Sequence, residues 1–211
     1  MPRLLLRLLR LAMALLILAA IVVQFLHPAD PLGVAANFLS FFTIQSNLVA
    51  AGVLLVVVAA GNAPRSARMD AWRGAVTLYL VITGVVFAVL LSNVSEDLQL
   101  TLPWVDTVLH RLAPLVLALD WIVDPPRSWV TRRTALTWLI YPAAWATYTL
   151  GRGAITGWYP YPFIDVDAHG YPAVLLTCVV LLVAFVLAAL AVAAVGNRLG
   201  TRAGARRRQA R

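Results

Sequence analysis

The 211-residue chain contains one cysteine, Cys178, and no lysine. A single thiol excludes an internal disulfide framework and any cysteine-based zinc cluster. Charge is scarce as well: charged residues make up 12% of the chain, against roughly a quarter in a soluble domain. That scarcity excludes an ordinary soluble domain. With 62% hydrophobic residues, it also excludes a disordered chain. No internal repeat is present, so an inverted-repeat transporter has no support. Apolar and polar residues do not alternate over about ten positions, as the strands of a membrane β-barrel would.

What the sequence does hold is long apolar runs. Mean hydropathy is +0.84. Six stretches, near 10–26, 36–60, 74–92, 105–123, 134–151 and 171–195, suit the roughly 17 to 25 residues that a bilayer crossing needs. Each is read as a helix, because a lone span in lipid must satisfy its backbone hydrogen bonds within itself. The expected fold is therefore all-α: a polytopic membrane protein with one six-helix domain over 1–197 and an Arg-rich tail over 198–211. A signal peptide is the competing reading of the first run, but that run is long and no small-x-small cleavage site follows it.

Arginine placement predicts the topology. Arg3, Arg7 and Arg10 precede the first span, and Arg65, Arg68 and Arg73 flank the connection between the second and third. Arg127, Arg132 and Arg133 lie between the fourth and fifth, and a further group from Arg198 to Arg211 follows the sixth. The connections near 27–34 and 93–104 contain no arginine. By the positive-inside rule both termini are cytoplasmic. The net charge of +8 therefore reads as a bilayer anchor meeting anionic headgroups rather than a nucleic-acid surface. Only Arg111 and Arg152 fall outside this scheme.

Polar residues inside spans are costly, and each is a functional candidate. The second span carries Asn37, Ser40, Thr43, Ser46 and Asn47. At about 100° per residue, Ser40, Thr43 and Asn47 share one face while Gln45 points away. Such residues also glue membrane helices together, which is the plainer role for any one of them. In the fourth span Asp106 and His110 are four residues apart, so they share a helix face. A carboxylate there can fix the imidazole tautomer. Pro114 lacks an N–H, which deprives the His110 carbonyl of its helical partner and loosens the helix. Thr43 lies roughly 10 Å below the outer end of its span and His110 roughly 8 Å below that of its own, at 1.5 Å per residue. A hydroxyl and an imidazole can thus meet at one level, and a hydroxyl nucleophile requires such a base.

The outer segment from Arg152 to His169 carries Trp158, Tyr159, Tyr161 and Phe163, stiffened by Pro160 and Pro162. It reads as an interfacial aromatic belt or a lid. Asp165, Asp167 and His169, with Asp106 and His110, have the residue types of a cation site of oxygen and nitrogen ligands. Loop carboxylates at such short spacing are usually just solvated, so no metal and no cofactor is expected. Cys178, on an apolar span, reads as packing.

Phe41-Phe-Thr43-Ile-Gln-Ser-Asn47, Leu109-His110-x-x-x-Pro114 with Asp120-Trp121, Tyr141-Pro142 and Gly157-Trp-Tyr-Pro-Tyr-Pro-Phe163 together resemble a bacterial family of six-span membrane proteins. The resemblance covers nearly the whole chain. That family is itself related to the eukaryotic androgen-induced and androgen-dependent hydrolases, through span count and a Thr and a His in corresponding spans. Those are threonine hydrolases that cleave fatty-acid esters of hydroxy fatty acids. The resemblance implies Thr43 as nucleophile, His110 as its partner and the bacterial inner membrane as location.

The expected function is an intramembrane lipid-ester hydrolase acting on a lipid substrate. Asp106 orients His110, and Ser40 supports the site. Helical N–H groups are expected to be spent, which leaves Asn47 or Tyr148 to hold the oxyanion. Arg111 and Arg152, with Trp158 and Tyr159, are expected to hold a substrate carboxylate near the outer interface. The alternatives are a non-enzymatic small transporter or lipid-binding protein, and a metal-dependent membrane enzyme.

Overall fold

The computed structural model describes residues 3–27, 35–91 and 102–209. The described residues are helical, without strands. In order they form α1 (Arg3–Phe25), α2 (Ala35–Ser40), α3 (Phe42–Ala59) and α4 (Ala67–Val86), the last running on as a π-helical turn, Phe87–Leu91. Then come α5 (Pro103–Thr107), a π-helical turn over Val108–Leu112, α6 (Ala113–Val123), α7 (Arg132–Thr137) and α8 (Ile140–Thr156). A 3₁₀ turn, Pro162–Ile164, leads into α9 (Val166–Gln209).

Among the described residues four helical stretches are long and apolar enough to cross a membrane: Arg3–Phe25, Phe42–Ala59, Ala67–Leu91 and Val166–Thr201. The other two expected spans are helical but interrupted. The 105–123 stretch is divided by the π-helical turn ahead of Pro114. The 134–151 stretch is divided at Trp138 and Leu139, and Pro142 sits in the first turn of α8, where its missing N–H costs nothing. The 36–60 stretch is interrupted as well, at Phe41, whose extended backbone (φ −67°, ψ 129°) separates α2 from α3. The last helix outruns its expected end at residue 195 and continues to Gln209, with a kink at Gly170 (φ 75°). The Arg-free connections expected near 27–34 and 93–104 fall largely outside the described residues.

Small side chains set the packing. Ala14, Ala20, Ala50, Ala51, Ala113 and Ala189 are fully buried, and α1 packs on α3, α3 on α4, and α4 on both α6 and α9. Residues without bulk let helix backbones approach closely where lipid offers no hydrophobic drive. Gly74 and Gly196 go further. A Cβ on Gly74 would come within 2.5 Å of the Trp138 ring, and one on Gly196 within 2.6 Å of Trp121. Outward faces are the reverse, with Leu175, Leu176, Val179, Val180, Val183 and Leu187 of α9 all exposed. Apolar faces of that extent are stable against acyl chains and not against water. The chain is a helical membrane protein.

One end of the bundle is tied by charge. Arg10 donates from Nε to Asp120 Oδ1 at 2.7 Å and from Nη2 to Asp124 Oδ2 at 2.7 Å. Arg73 reaches the other Asp120 oxygen at 2.7 Å. Arg65 pairs with Asp124 and, at 3.0 Å, with Asp70. Asp70, fully buried, also accepts from the backbone N–H groups of Arg127 and Ser128 at 2.8 and 3.0 Å. Three arginines and three aspartates thus join α1, the α3–α4 turn, α4, α6 and the segment after α6. Asn197 adds α9 to this end by exchanging two hydrogen bonds with the Val130 backbone. Burial pushes the Asp124 carboxyl up, but the hydrogen bond from Arg10 and the charges of Arg65, Arg73 and Arg10 outweigh it and hold the group below its ordinary value.

Candidate active site

The break at Phe41 shapes the opposite end. Interrupting the helix frees the carbonyls of Leu39 and Ser40, and both find side-chain donors: Gln45 Nε2 to Leu39 O at 2.7 Å, and Trp145 Nε1 to Ser40 O at 2.9 Å. Gln45, which the periodicity turns away from Thr43, is therefore part of the splint that holds the break, and its Oε1 accepts from the Tyr141 hydroxyl at 3.0 Å. Thr43 becomes the second residue of a new helix, with a backbone N–H that lacks a helical partner. That N–H donates to the Tyr161 hydroxyl oxygen at 3.2 Å.

The Thr43 hydroxyl lies between two groups, 3.2 Å from His110 Nε2 and 3.3 Å from the Tyr161 hydroxyl. The far nitrogen of the imidazole, Nδ1, is 3.0 Å from Asp106 Oδ1. The Phe87 ring stacks on the imidazole with centroids 4.3 Å apart and planes 14° from parallel. The i, i+4 relation read from sequence thus forms, and the chain of contacts runs carboxylate, imidazole, hydroxyl. Thr43 and Asp106 are buried and His110 is nearly so.

Pro114 explains the turn that carries His110. The Ala113 N–H bonds to Val108 O in π-helical register, which leaves the Leu109 carbonyl without its α-helical donor. The next residue, Pro114, has no N–H to offer. Asn47 Nδ2 supplies the missing bond to Leu109 O at 3.3 Å while also donating to Thr43 O at 2.9 Å. Both amide hydrogens are spent on backbone, so Asn47 does not serve the oxyanion role expected from sequence; it splices the Thr43 helix to the His110 helix. Replacing Asn47 with Leu orphans a buried carbonyl and is expected to cost about 1–3 kcal/mol, measurable as a lowered Tm in detergent.

Tyr148 is also displaced from its expected role, because its hydroxyl meets Ser40 Oγ at 2.9 Å, and Ser40 in turn donates to Ala36 O at 2.6 Å. These two support the α2 side of the break, and among the described residues neither forms a hydrogen bond with Thr43. The residue missed by the sequence reading is Tyr161. It is buried, stacked on Phe163 with centroids 5.2 Å apart, and set edge-on to Phe41 at 5.4 Å. Burial pushes its hydroxyl pKa up, against a smaller downward pull from its hydrogen bonds with Thr43 and Phe42, so the group stays protonated and able to donate.

Arg152 donates to Asn37 Oδ1 at 2.7 Å and lies 4.9 Å from the Trp158 ring centroid. Tyr159 packs on Gly153, where a Cβ would fall 2.0 Å from its ring. Arg111 is exposed, 4.0 Å from Asp106 Oδ2 and 5.5 Å from the Phe87 centroid. The acidic run is not gathered: among the described residues no three His, Cys, Asp or Glu side chains converge as metal ligands. Asp165 caps α9 instead, accepting from the N–H groups of Asp167 and Ala168 at 2.9 and 3.1 Å, while Asp167 and His169 are exposed.

A cavity of about 170 Å³, lined in part by Thr43, runs between α3, α4, α8 and α9. Its walls are almost wholly apolar, with Val86, Trp145, Phe163, Leu182 and Phe185 prominent and Cys178 among them. Thr43, Thr83 and Tyr161 are its polar groups. Comparison of the chain with protein-family models, with curated proteins and with solved structures finds no match.

Proposed function

We propose that the protein is an intramembrane hydrolase of lipid esters with Thr43 as nucleophile. The observation that carries this is the relay Asp106–His110–Thr43, with successive separations of 3.0 and 3.2 Å, ending on a hydroxyl that lines an apolar cavity. A threonine hydroxyl attacks an ester at neutral pH only when a base takes its proton. His110 Nε2 is that base, and Asp106 holds the Nδ1–H tautomer that points the basic nitrogen at Thr43. Attack by Oγ1 forms the Thr–acyl bond, and His110 returns the proton to the departing alcohol. Water, deprotonated by the same imidazole, then releases the acid and restores the threonine.

The oxyanion needs donors already in place. The Thr43 N–H at the start of α3 is one, favoured by the positive end of the helix dipole. The Tyr161 O–H, which rests against that N–H, is the second. An acyl chain fits the apolar cavity, and Arg111 and Arg152 border the site as binding groups for a substrate carboxylate. The resemblance to the threonine hydrolases of fatty-acid esters of hydroxy fatty acids supports the same assignment.

The chain's course supports six passes with the Arg-rich end cytoplasmic, and the bacterial inner membrane is the location that the family resemblance implies. Between the Asp120 network and the Thr43 site run α1, α3, α4, the interrupted α5–α6 stretch, α7 with α8, and α9. Purified protein in detergent is expected to hydrolyse fatty-acyl esters, including those of hydroxy fatty acids, at a rate unchanged by EDTA. Absence of turnover across short and long acyl chains would remove the proposal. Tyr161→Phe keeps the ring packing but deletes one donor, so kcat is expected to fall by about 10²–10³-fold with KM nearly unchanged.

A further inference from the structure

A second cavity, of about 380 Å³, lies at the basic end, remote from Thr43. Its size falls within the roughly 300–1,000 Å³ typical of small-molecule sites. It is bounded by the start of α1, the α3–α4 turn and the segment after α6. Arg3, Arg7, Arg10, Arg65 and Arg127 line it against a single carboxylate, Asp124. The inner wall is electrically settled, since Arg10 and Arg65 are spent on Asp120, Asp124 and Asp70. The outer wall is not. Arg3, Arg7 and Arg127 form no ion pair among the described residues. Arg7 donates only to a neutral amide, Asn62 Oδ1, at 3.0 Å, and Arg127 engages Asp70 through its backbone N–H alone.

With Arg73 included, six guanidiniums meet three carboxylates around this hollow, an excess of three positive charges. Gly61 brings the wall close. It turns the chain at φ 63°, and a Cβ there would sit 3.2 Å from Arg7 Nη2. Like charges converging on one concavity repel unless an anion sits among them.

We propose that this cavity binds a phosphate group, carried by an anionic phospholipid headgroup or free in solution. Guanidinium forks match phosphate oxygens two at a time, and basic pockets between membrane helices hold such headgroups on the cytoplasmic side. The site stands independently of the Thr43 chemistry, and its failure would leave that chemistry untouched.

The test compares full-length protein with two triple variants in dodecyl maltoside micelles, which carry no phosphate. One is Arg3→Gln/Arg7→Gln/Arg127→Gln, which empties the outer wall of charge but leaves the buried network whole. The other is Arg132→Gln/Arg133→Gln/Arg198→Gln, which removes equal charge from residues that do not line the cavity. Thermal stability is titrated with phosphatidylglycerol and, separately, with inorganic phosphate. Phosphatidylglycerol is expected to raise the Tm of the native and control proteins with matching midpoints. The midpoint weakens about a hundredfold in the cavity variant. Protection by phosphatidylglycerol alone assigns the site to a lipid headgroup, and equal protection by inorganic phosphate assigns it to the free anion. No shift with either probe, or equal losses in the two variants, would overturn the proposal.

Discussion

Thr43→Ala is expected to abolish ester hydrolysis, with kcat falling by at least about 10⁴-fold while the protein stays folded. The size follows from what is removed. The hydroxyl forms the covalent bond to the acyl group, and without it only cavity binding and the oxyanion donors remain. The structural cost is small, because among the described residues the Thr43 Oγ1 hydrogen-bond partners are His110 and Tyr161, and its backbone keeps the bonds from Ser46 and Asn47. His110→Ala is expected to lose a similar factor, and the double variant to be scarcely worse than either single. Groups that act as one unit are grossly non-additive. Independent, multiplying losses would instead point to two separate roles. Matching Tm values for Thr43→Ala and the native protein keep the comparison one of chemistry.

Asp120→Asn is expected to destabilise the protein by about 3–5 kcal/mol. Asp120 accepts from Arg10 of α1 through one oxygen and from Arg73 of α4 through the other, both at 2.7 Å. Loss of its charge leaves the buried Arg73 guanidinium without its 2.7 Å carboxylate and Arg10 with Asp124 alone, and neither can shed its proton. Replacing Asp120 with Leu and Arg73 with Met together should be milder than Asp120→Asn, since the Arg73 guanidinium then leaves with the carboxylate and Arg10 keeps Asp124. Urea or thermal unfolding in detergent measures the difference. The same network carries an acid signature. Asp124 is held below its ordinary value in the folded protein, so its stabilisation is present at neutral pH and is lost as pH falls through the folded value.

Much of the site could be read from the sequence because it rests on local rules. Asp106 and His110 meet because four residues make one helical turn. Thr43 reaches His110 because both lie at matching depth below the same face. Pro114 announces an irregular turn, and the π-helical register after Val108 is that irregularity. What Pro114 does not announce is the donor that repairs it, since Asn47 reaches Leu109 from 62 residues away. The break at Phe41 escapes for the same reason. Neighbouring residues contain no Gly or Pro, and the freed carbonyls are satisfied by Gln45 and by the distant Trp145. Without that break the N–H of Thr43 would be spent inside a helix, which is why side chains alone were expected to hold an oxyanion.

Tyr161 is hidden by its setting. A run of Trp, Tyr and Phe between prolines is what an interfacial belt contains, and only the folded loop turns one of those rings inward to Thr43. The charged network is masked similarly. Arg10, Arg65 and Arg73 satisfy the positive-inside pattern, so nothing in their placement reveals that three aspartates neutralise them. Span count is the remaining difference. Among the described residues four helices qualify by continuous length and composition, whereas the π-helical turn ahead of Pro114 and the break at Trp138 and Leu139 divide the other two stretches that hydropathy alone presents as continuous.

Covalent labelling tests the central claim most directly. Purified protein treated with a long-chain alkyl fluorophosphonate, digested and analysed by mass spectrometry should carry the phosphonyl mass on the Thr43 hydroxyl. The adduct should be absent from His110→Ala and should form in proportion to lost esterase activity. A protein that hydrolyses esters yet carries the label on another residue, or none at Thr43, would contradict the account.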